Sequence, residues 1–376
     1  MKSRIKEIEI SGIRSFTSLF KDMEDMLYLT IGEPDLDTPT LIKDAAKEAL
    51  DKNYTHYPPA LGTDRLRKAI INYENHQYNN NLNVDNVIVT NGATEGLVLA
   101  MWTLLNEGDN IILPIPGYTL YKSQITLSGA DYRALDTIHT NFQIDEEELR
   151  KVVDENTRAI ILTSPNNPSG EVLNEASLKA VYNVMKDYPN MYAILDDVYN
   201  TFVYDGQLPS LRMYDDILER LVVVQAFSKS HAMTGWRIGY VLAQPSLIHE
   251  MHKLHQNLMA GVNSITQYAA SKAFEVDTNY MKEDYRKRRD YVYDRLIKMG
   301  FEVNKPKGAF YIFPNIKKFR MNSYDFAYQC AMEAKLVLIP GVYFGADEYV
   351  RLSYCYAFDE LEESLNRLEC FVKGLE

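Results

Sequence analysis

The sequence predicts an α/β fold: a large domain built on a mostly parallel sheet, and a smaller α+β domain. Three observations predict it. Between about residues 87 and 243, short apolar runs alternate with longer amphipathic stretches, the order of a strand–helix sheet. Those runs lack period-two alternation, which suits strands covered on both faces. After about Met281 the pattern changes to a long charged helix followed by short strands and helices.

NVIVTNG (Asn86–Gly92) reads as a strand ending in a turn, and TEGLVLAMWTLL follows with helical spacing. NIILP (Asn110–Pro114), RAIILTS (Arg158–Ser164), MYAILDD (Met191–Asp197), LVVVQAF (Leu221–Phe227) and IGYVLA (Ile238–Ala243) read as buried strands. Helical patterns such as SLKAVYNVMK (Ser177–Lys186) lie between them. The charged helix ends at Gly300. FEV, GAFYIFP and YVRLSY then read as strands, with helices at 323–335 and 359–372. The large domain is expected over residues 46–281, and the small one over 1–45 and 282–376.

The 376 residues include 46% hydrophobic and 24% charged side chains, enough apolar material for a large core. A net charge of −12 argues against a dedicated nucleic-acid or anionic-membrane binder, while allowing a local basic pocket. Cys330, Cys355 and Cys370 are odd in number and fit no metal spacing. They read as reduced thiols of a cytoplasmic protein with no metal site. MKSRIKEIEI does not read as a signal peptide, and the greasy stretch Leu97–Leu105 is far too short to span a bilayer.

The unusual residues cluster at strand ends, where ligands of such sheets bind. Lys229 follows the buried run LVVVQAF. An ammonium there loses solvation, which lowers its pKa and makes the amine a nucleophile suited to a Schiff base. Taken alone, it is more often a loop lysine. Arg237 lies eight residues on, with Gly235 allowing a tight turn between, and could grip a phosphate or make an ordinary ion pair. NGATEG (Asn91–Gly96) is a strand-to-helix turn whose backbone N–H groups could face an anion, or simply a turn. In LDDVY, Asp196 would be buried and in need of a cationic partner such as a pyridine nitrogen, or else a core aspartate bonded to backbone. Tyr199 could bring its phenol nearby. SPNNPSG (Ser164–Gly170) is an irregular loop that could present Asn167. Tyr118 of PIPGY could stack on a flat ring or merely pack. Arg351 of YVRLSY could hold a carboxylate or lie on a solvated strand face.

Together and in this order, IGEPD, YPPALG, NGAT, PGY, SPNNPSG, DDVY, SKSHAMTGWRIGY, GAFYIFP and YVRLSY resemble the fold-type I pyridoxal-phosphate-dependent aminotransferases of class I/II. The resemblance spans nearly the whole chain. EIEISGIRSF, SKSHAMTGWRIG, RDYVYDRL and GAFYIFP also resemble the N-acetyl-L,L-diaminopimelate aminotransferases within that family. The resemblance implies pyridoxal 5′-phosphate, an L-amino acid and a 2-oxo acid as substrates (glutamate and 2-oxoglutarate as one pair), and a homodimer with shared active sites.

It also implies roles. Lys229 would hold the cofactor aldehyde and Asp196 the ring nitrogen. Tyr199 and Asn167 would bond the ring oxygen, and Tyr118 would stack on the ring. The backbone of Ala93 and Thr94, with Ser228, Arg237 and a partner subunit's Tyr57, would bind the phosphate. Arg351 with Asn167 would take the α-carboxylate, and Gly32 would line the substrate site. Ala226 stands where many relatives carry serine or glycine, so Ser228 would replace a missing phosphate contact. Asp197 is expected to act behind the site. No second arginine announces a dicarboxylate pocket. The alternatives are a carbon–sulfur β-lyase on the same fold, an aromatic or aspartate aminotransferase, and a regulator built on this fold. The regulator is disfavoured because IGEPD begins at Ile31, leaving no room for a DNA-binding module.

Overall fold

A computed structural model describes residues 4–375. In chain order its strands are β1 (Leu27–Tyr28), β2 (Val87–Thr90), β3 (Asn110–Ile115), β4 (Asp131–Asp136), β5 (Thr157–Thr163) and β6 (Tyr192–Asp196). They continue with β7 (Leu221–Ala226), β8 (Gly239–Leu242), β9 (Tyr311–Ile312), β10 (Leu336–Val337), β11 (Ile339–Pro340) and β12 (Val350–Ser353). Seven form the main sheet, in the order β2-β8-β7-β6-β5-β3-β4. Only β8 runs against its neighbours; the rest are parallel.

The sheet is covered on both faces, as the unalternating runs require. Leu221 and Val223 of β7 enter one apolar cluster with Ile160 and Ala193, while Val222 and Val224 enter the opposite one with Ile161 and Ile194. Both faces are apolar, so every position of the strand must be.

β4 was not expected from the sequence. It is the edge strand, and most of DYRALD faces solvent, so no apolar run marks it. FEV is a correction in the other direction: Glu302 makes a single bridge to Asn315, and no strand forms there.

β9, β11 and β12 make a small antiparallel sheet, and β1 pairs with β10. Leu29, Phe310, Ile312, Phe326, Leu352 and Leu365 fill one core there. The helix Gly12–Ser18 adds Phe16 to a second cluster with Ala327 and Val337. The helix Thr40–Asp51 behaves differently. Its Ile42 and Ala45 lie in the main-sheet cluster with Tyr268 and Ala269, although both precede the expected boundary at residue 46. Met281, at the other boundary, packs with Leu29 and Phe310. Among the described residues, no helix is long and apolar enough to cross a membrane.

Candidate active site

Strands β2, β3, β5, β6 and β7 point their carboxyl ends the same way, so the turns that follow them converge. Lys229 lies in the single helical turn Phe227–Ser230 after β7. Its Nζ donates to the carbonyl of Gly32 at 2.5 Å. Burial lowers the lysine pKa, with the Arg237 and Arg351 charges acting in the same direction.

Arg237 closes the next turn. The left-handed backbone falls on Arg237 itself (φ 52°) and on Ala232 (φ 50°), whereas Gly235 has no such φ. The tight turn therefore does not come from Gly235, as its sequence suggested. The strained residue is the arginine, and strain of this kind is worth attention at a ligand site. The guanidinium donates to the carbonyls of Thr234 (2.9 Å) and Asn91 (3.5 Å) and lies against Gly92. Gly92 has φ 76°, and a Cβ there would stand 2.7 Å from the arginine Nη2. Gly92 caps the helix Ala93–Leu104. The N–H groups of Ala93 and Thr94 are first-turn donors with no intrahelical acceptor. Gly239 of β8 lets this turn approach: a Cβ on it would lie 3.1 Å from the Ala93 nitrogen. Ser228 is buried beside the turn, and its hydroxyl has no protein partner among the described residues. Backbone donors, a helix start and a guanidinium together make an anion seat.

Asp196 ends β6 and is buried. Tyr121 donates to its Oδ2 at 2.6 Å, and Oδ1 has no partner. Burial, opposed by the Tyr121 hydrogen bond, pushes its pKa up to about 6. An orphaned, buried carboxylate oxygen asks for a cationic N–H.

Above it, the phenols of Tyr199 and Tyr311 meet at 2.9 Å. Gly32 lies against Tyr311; a Cβ on Gly32 would overlap the phenol oxygen at 1.6 Å. Asn167 is buried and accepts from Arg351 Nη1 at 2.9 Å. Arg351 is 3% exposed and pairs with no acidic side chain among the described residues; its Nε has no hydrogen-bond partner. Tyr311 and Phe344 face the guanidinium at 4.6 and 4.9 Å. Tyr118 is half-buried, edge-on to Tyr121. Burial raises its phenol pKa, and the charges of Asp196, Arg351, Arg14 and Arg237 all act on it. Tyr118 thus stands among most of the candidate residues. Tyr57 does not join them: it is 95% exposed, and its phenol makes no hydrogen bond among the described residues.

A cofactor with a phosphate at one end, an acid-seeking ring nitrogen at the other and an aldehyde near the lysine fits these groups. The family model of the class I and II aminotransferases matches residues 24–368. The chain belongs to that family. This aminotransferase is an enzyme that uses pyridoxal 5′-phosphate to move an amino group between an L-amino acid and a 2-oxo acid. It is 40% identical, over 99% of its length and 95% of the relative's, to the Bacillus subtilis (strain 168) protein named "Probable N-acetyl-LL-diaminopimelate aminotransferase". It is 38% identical to an aspartate aminotransferase of Pyrococcus horikoshii, over 99% of this chain and 97% of the other. The crystal structure of the aspartate aminotransferase from Thermotoga maritima superimposes with a TM-score of 0.94 at 35% identity, covering 99% of this chain and 100% of that one.

The sequence did not reveal several participants. Tyr121 and Tyr311 were two tyrosines among 27. Nor did it reveal Arg212 and Glu74: Asp197, expected to act behind the site, pairs with Arg212 at 2.7 Å, and Arg212 also holds Glu74 at 2.8 Å. Arg14, on the helix Gly12–Ser18, forms no ion pair among the described residues, yet its charge acts on the Tyr118 phenol. The SGIR stretch offered no spacing that would have marked it. Among the described residues, no His, Cys, Asp and Glu gather as a metal site.

Proposed function

We propose that this aminotransferase binds its cofactor through Lys229, Asp196 and the Gly92–Arg237 seat, and takes the α-carboxylate of its amino acid on Arg351. The observation that carries the reading is Arg351: a guanidinium 3% exposed with no carboxylate of its own. Burying an unpaired cation is expensive, so an anionic substrate group is its natural partner. Asn167 fixes its orientation.

Bound there, pyridoxal phosphate supplies an aldehyde for the amine and a ring that accepts electrons. The protein does the rest. Burial lowers the pKa of Lys229 Nζ, which favours its role of taking and returning the proton of the substrate Cα. Asp196 Oδ1 holds a proton at the ring nitrogen. Tyr199 and Asn167 orient the ring oxygen, Tyr118 covers the ring face, and the N–H groups of Ala93 and Thr94, with Ser228 and Arg237, hold the phosphate.

For the donor, we propose an amino acid whose side chain ends in a second carboxylate, with N-acetyl-L,L-diaminopimelate the first to test and 2-oxoglutarate as acceptor. Unpaired Arg14 favours this, as do the names of the two relatives. The working form is proposed to be a cytoplasmic homodimer in which the exposed Tyr57 reaches the partner's phosphate seat.

The test is the visible spectrum of the purified protein. A yellow band that bleaches on adding L-glutamate or N-acetyl-L,L-diaminopimelate supports transamination with that donor. Release of pyruvate and ammonia from cysteine, without a 2-oxo acid, would instead support the β-lyase.

A further inference from the structure

Beneath the phosphate seat lies a buried pair that the chemistry above does not use. Glu95 is in the first turn of the helix Ala93–Leu104, and His255 is on the helix Pro245–Met259. His255 has no exposed surface and Glu95 is 5% exposed. His255 Nδ1 lies 2.5 Å from Glu95 Oε1. The other carboxylate oxygen accepts from both the backbone N–H of Asn91 (2.6 Å) and its side-chain amide (2.8 Å). Burial alone would raise the Glu95 pKa, but the His255 and Asn91 hydrogen bonds hold it lowered. With its other oxygen accepting two N–H bonds, Glu95 favours the carboxylate form, and Nδ1 is assigned as the donor to it.

This chain of bonds ends at the seat. The N–H of Asn91 is fixed by Glu95, and the Asn91 carbonyl faces the Arg237 guanidinium. The next three residues, Gly92, Ala93 and Thr94, provide the turn and the free N–H groups. Glu95 thus holds Asn91 by its backbone N–H and its side-chain amide, and Asn91 is the residue whose carbonyl meets the guanidinium and which precedes those N–H groups.

We infer that Glu95 and His255 are positioning residues for the cofactor phosphate, acting through Asn91. A buried glutamate behind an anion seat has no electrostatic reason to be there, because its charge opposes the phosphate. Its three hydrogen bonds give it one: it clamps the turn, and His255 completes the clamp. The inference rests on the reading of this turn as the phosphate seat.

The experiment is titration of the cofactor-free protein with pyridoxal 5′-phosphate and with pyridoxal, followed by absorbance. The dissociation constant for pyridoxal divided by that for pyridoxal 5′-phosphate isolates the phosphate contribution. In Glu95→Gln and His255→Ala that ratio is expected to fall at least tenfold, with pyridoxal binding unchanged. His255→Gln, which still offers an N–H, keeps most of it. A wild-type preference for the phosphate that all three variants retain overturns the inference alone. A wild type with no such preference overturns the reading of the seat. Equal weakening of both ligands in the folded variants, shown by unchanged circular dichroism, means a merely structural role and also overturns the inference. Glu95→Gln preserves shape, so it decides the matter should His255→Ala fail to fold.

Discussion

Tyr121 donates a 2.6 Å hydrogen bond to Oδ2 of Asp196, while Oδ1 of the same buried carboxylate has no partner. The phenol satisfies one oxygen and leaves the other unpaired, as the proposed contact to a ring nitrogen requires. Burial sets the carboxyl at about 6 in the cofactor-free protein, so it takes up a proton as pH falls through that value. The anionic form that prefers a cationic N–H is then lost. Cofactor affinity is therefore expected to hold above about pH 6 and to weaken up to roughly tenfold per unit below it. Asp196→Asn should bind about 10- to 100-fold more weakly, since a hydrogen bond to a charged group is worth roughly 1.5–3 kcal/mol, and should lose this pH dependence. Absorbance titrations between pH 5 and 8 measure both. Parallel pH curves for the two proteins would contradict the role of Asp196.

Lys229→Ala should remove steady-state transamination while leaving circular dichroism and thermal unfolding nearly unchanged. The amine makes one hydrogen bond, to a backbone carbonyl, so its loss costs little structure. Measurable turnover by the purified variant would end the assignment.

Arg351→Ala should raise KM for the amino acid about 100-fold, as expected for losing a buried, charge-assisted grip worth roughly 3 kcal/mol. Cofactor affinity should change much less. If both fall together, Arg351 supports the site rather than the substrate.

Arg14→Ala should lower kcat/KM about fivefold for donors with a second carboxylate, the scale of an exposed ion pair. Phenylalanine and other uncharged donors should be unaffected. A uniform decline across donors would assign Arg14 to closing the site instead.

His231, two residues after Lys229, is buried, and its Nε2 faces the carbonyl of Ala273 at 3.0 Å. Burial pushes its pKa down to about 4. The unfolded chain binds this proton near pH 6.5, so stability from the neutral histidine is complete above 6.5 and is lost as pH falls toward 4. Between pH 7.5 and 5, the wild type should lose about 2 kcal/mol more than His231→Gln in urea unfolding. Equal losses would show that His231 ionises freely in the fold.

What could be read from the sequence follows from where the information is local. LVVVQAF and MYAILDD are apolar on both faces, so they mark their strands and the residues just beyond them, Lys229 and Asp196. The same logic hides β4, whose side chains at the sheet edge face water. Tyr121, Tyr311 and Arg14 gain meaning only from residues 75, 112 and about one hundred positions away in sequence, as with the Tyr121–Asp196 and Tyr199–Tyr311 bonds. No local pattern could single them out. Gly235 misled for a related reason: a glycine suggests a turn, but here an arginine takes the strained backbone, held by the carbonyls it meets.

Lys229 rests on the carbonyl oxygen of Gly32, an atom of the main chain. Every one of the twenty amino acids carries that oxygen, so no codon change at position 32 deletes the partner itself. What a mutation there can alter is the space: any side chain collides with Tyr311. Inheritance can thus damage this contact only by crowding it, never by erasing it, and position 32 should tolerate nothing larger than hydrogen even though its side chain contributes nothing to the reaction.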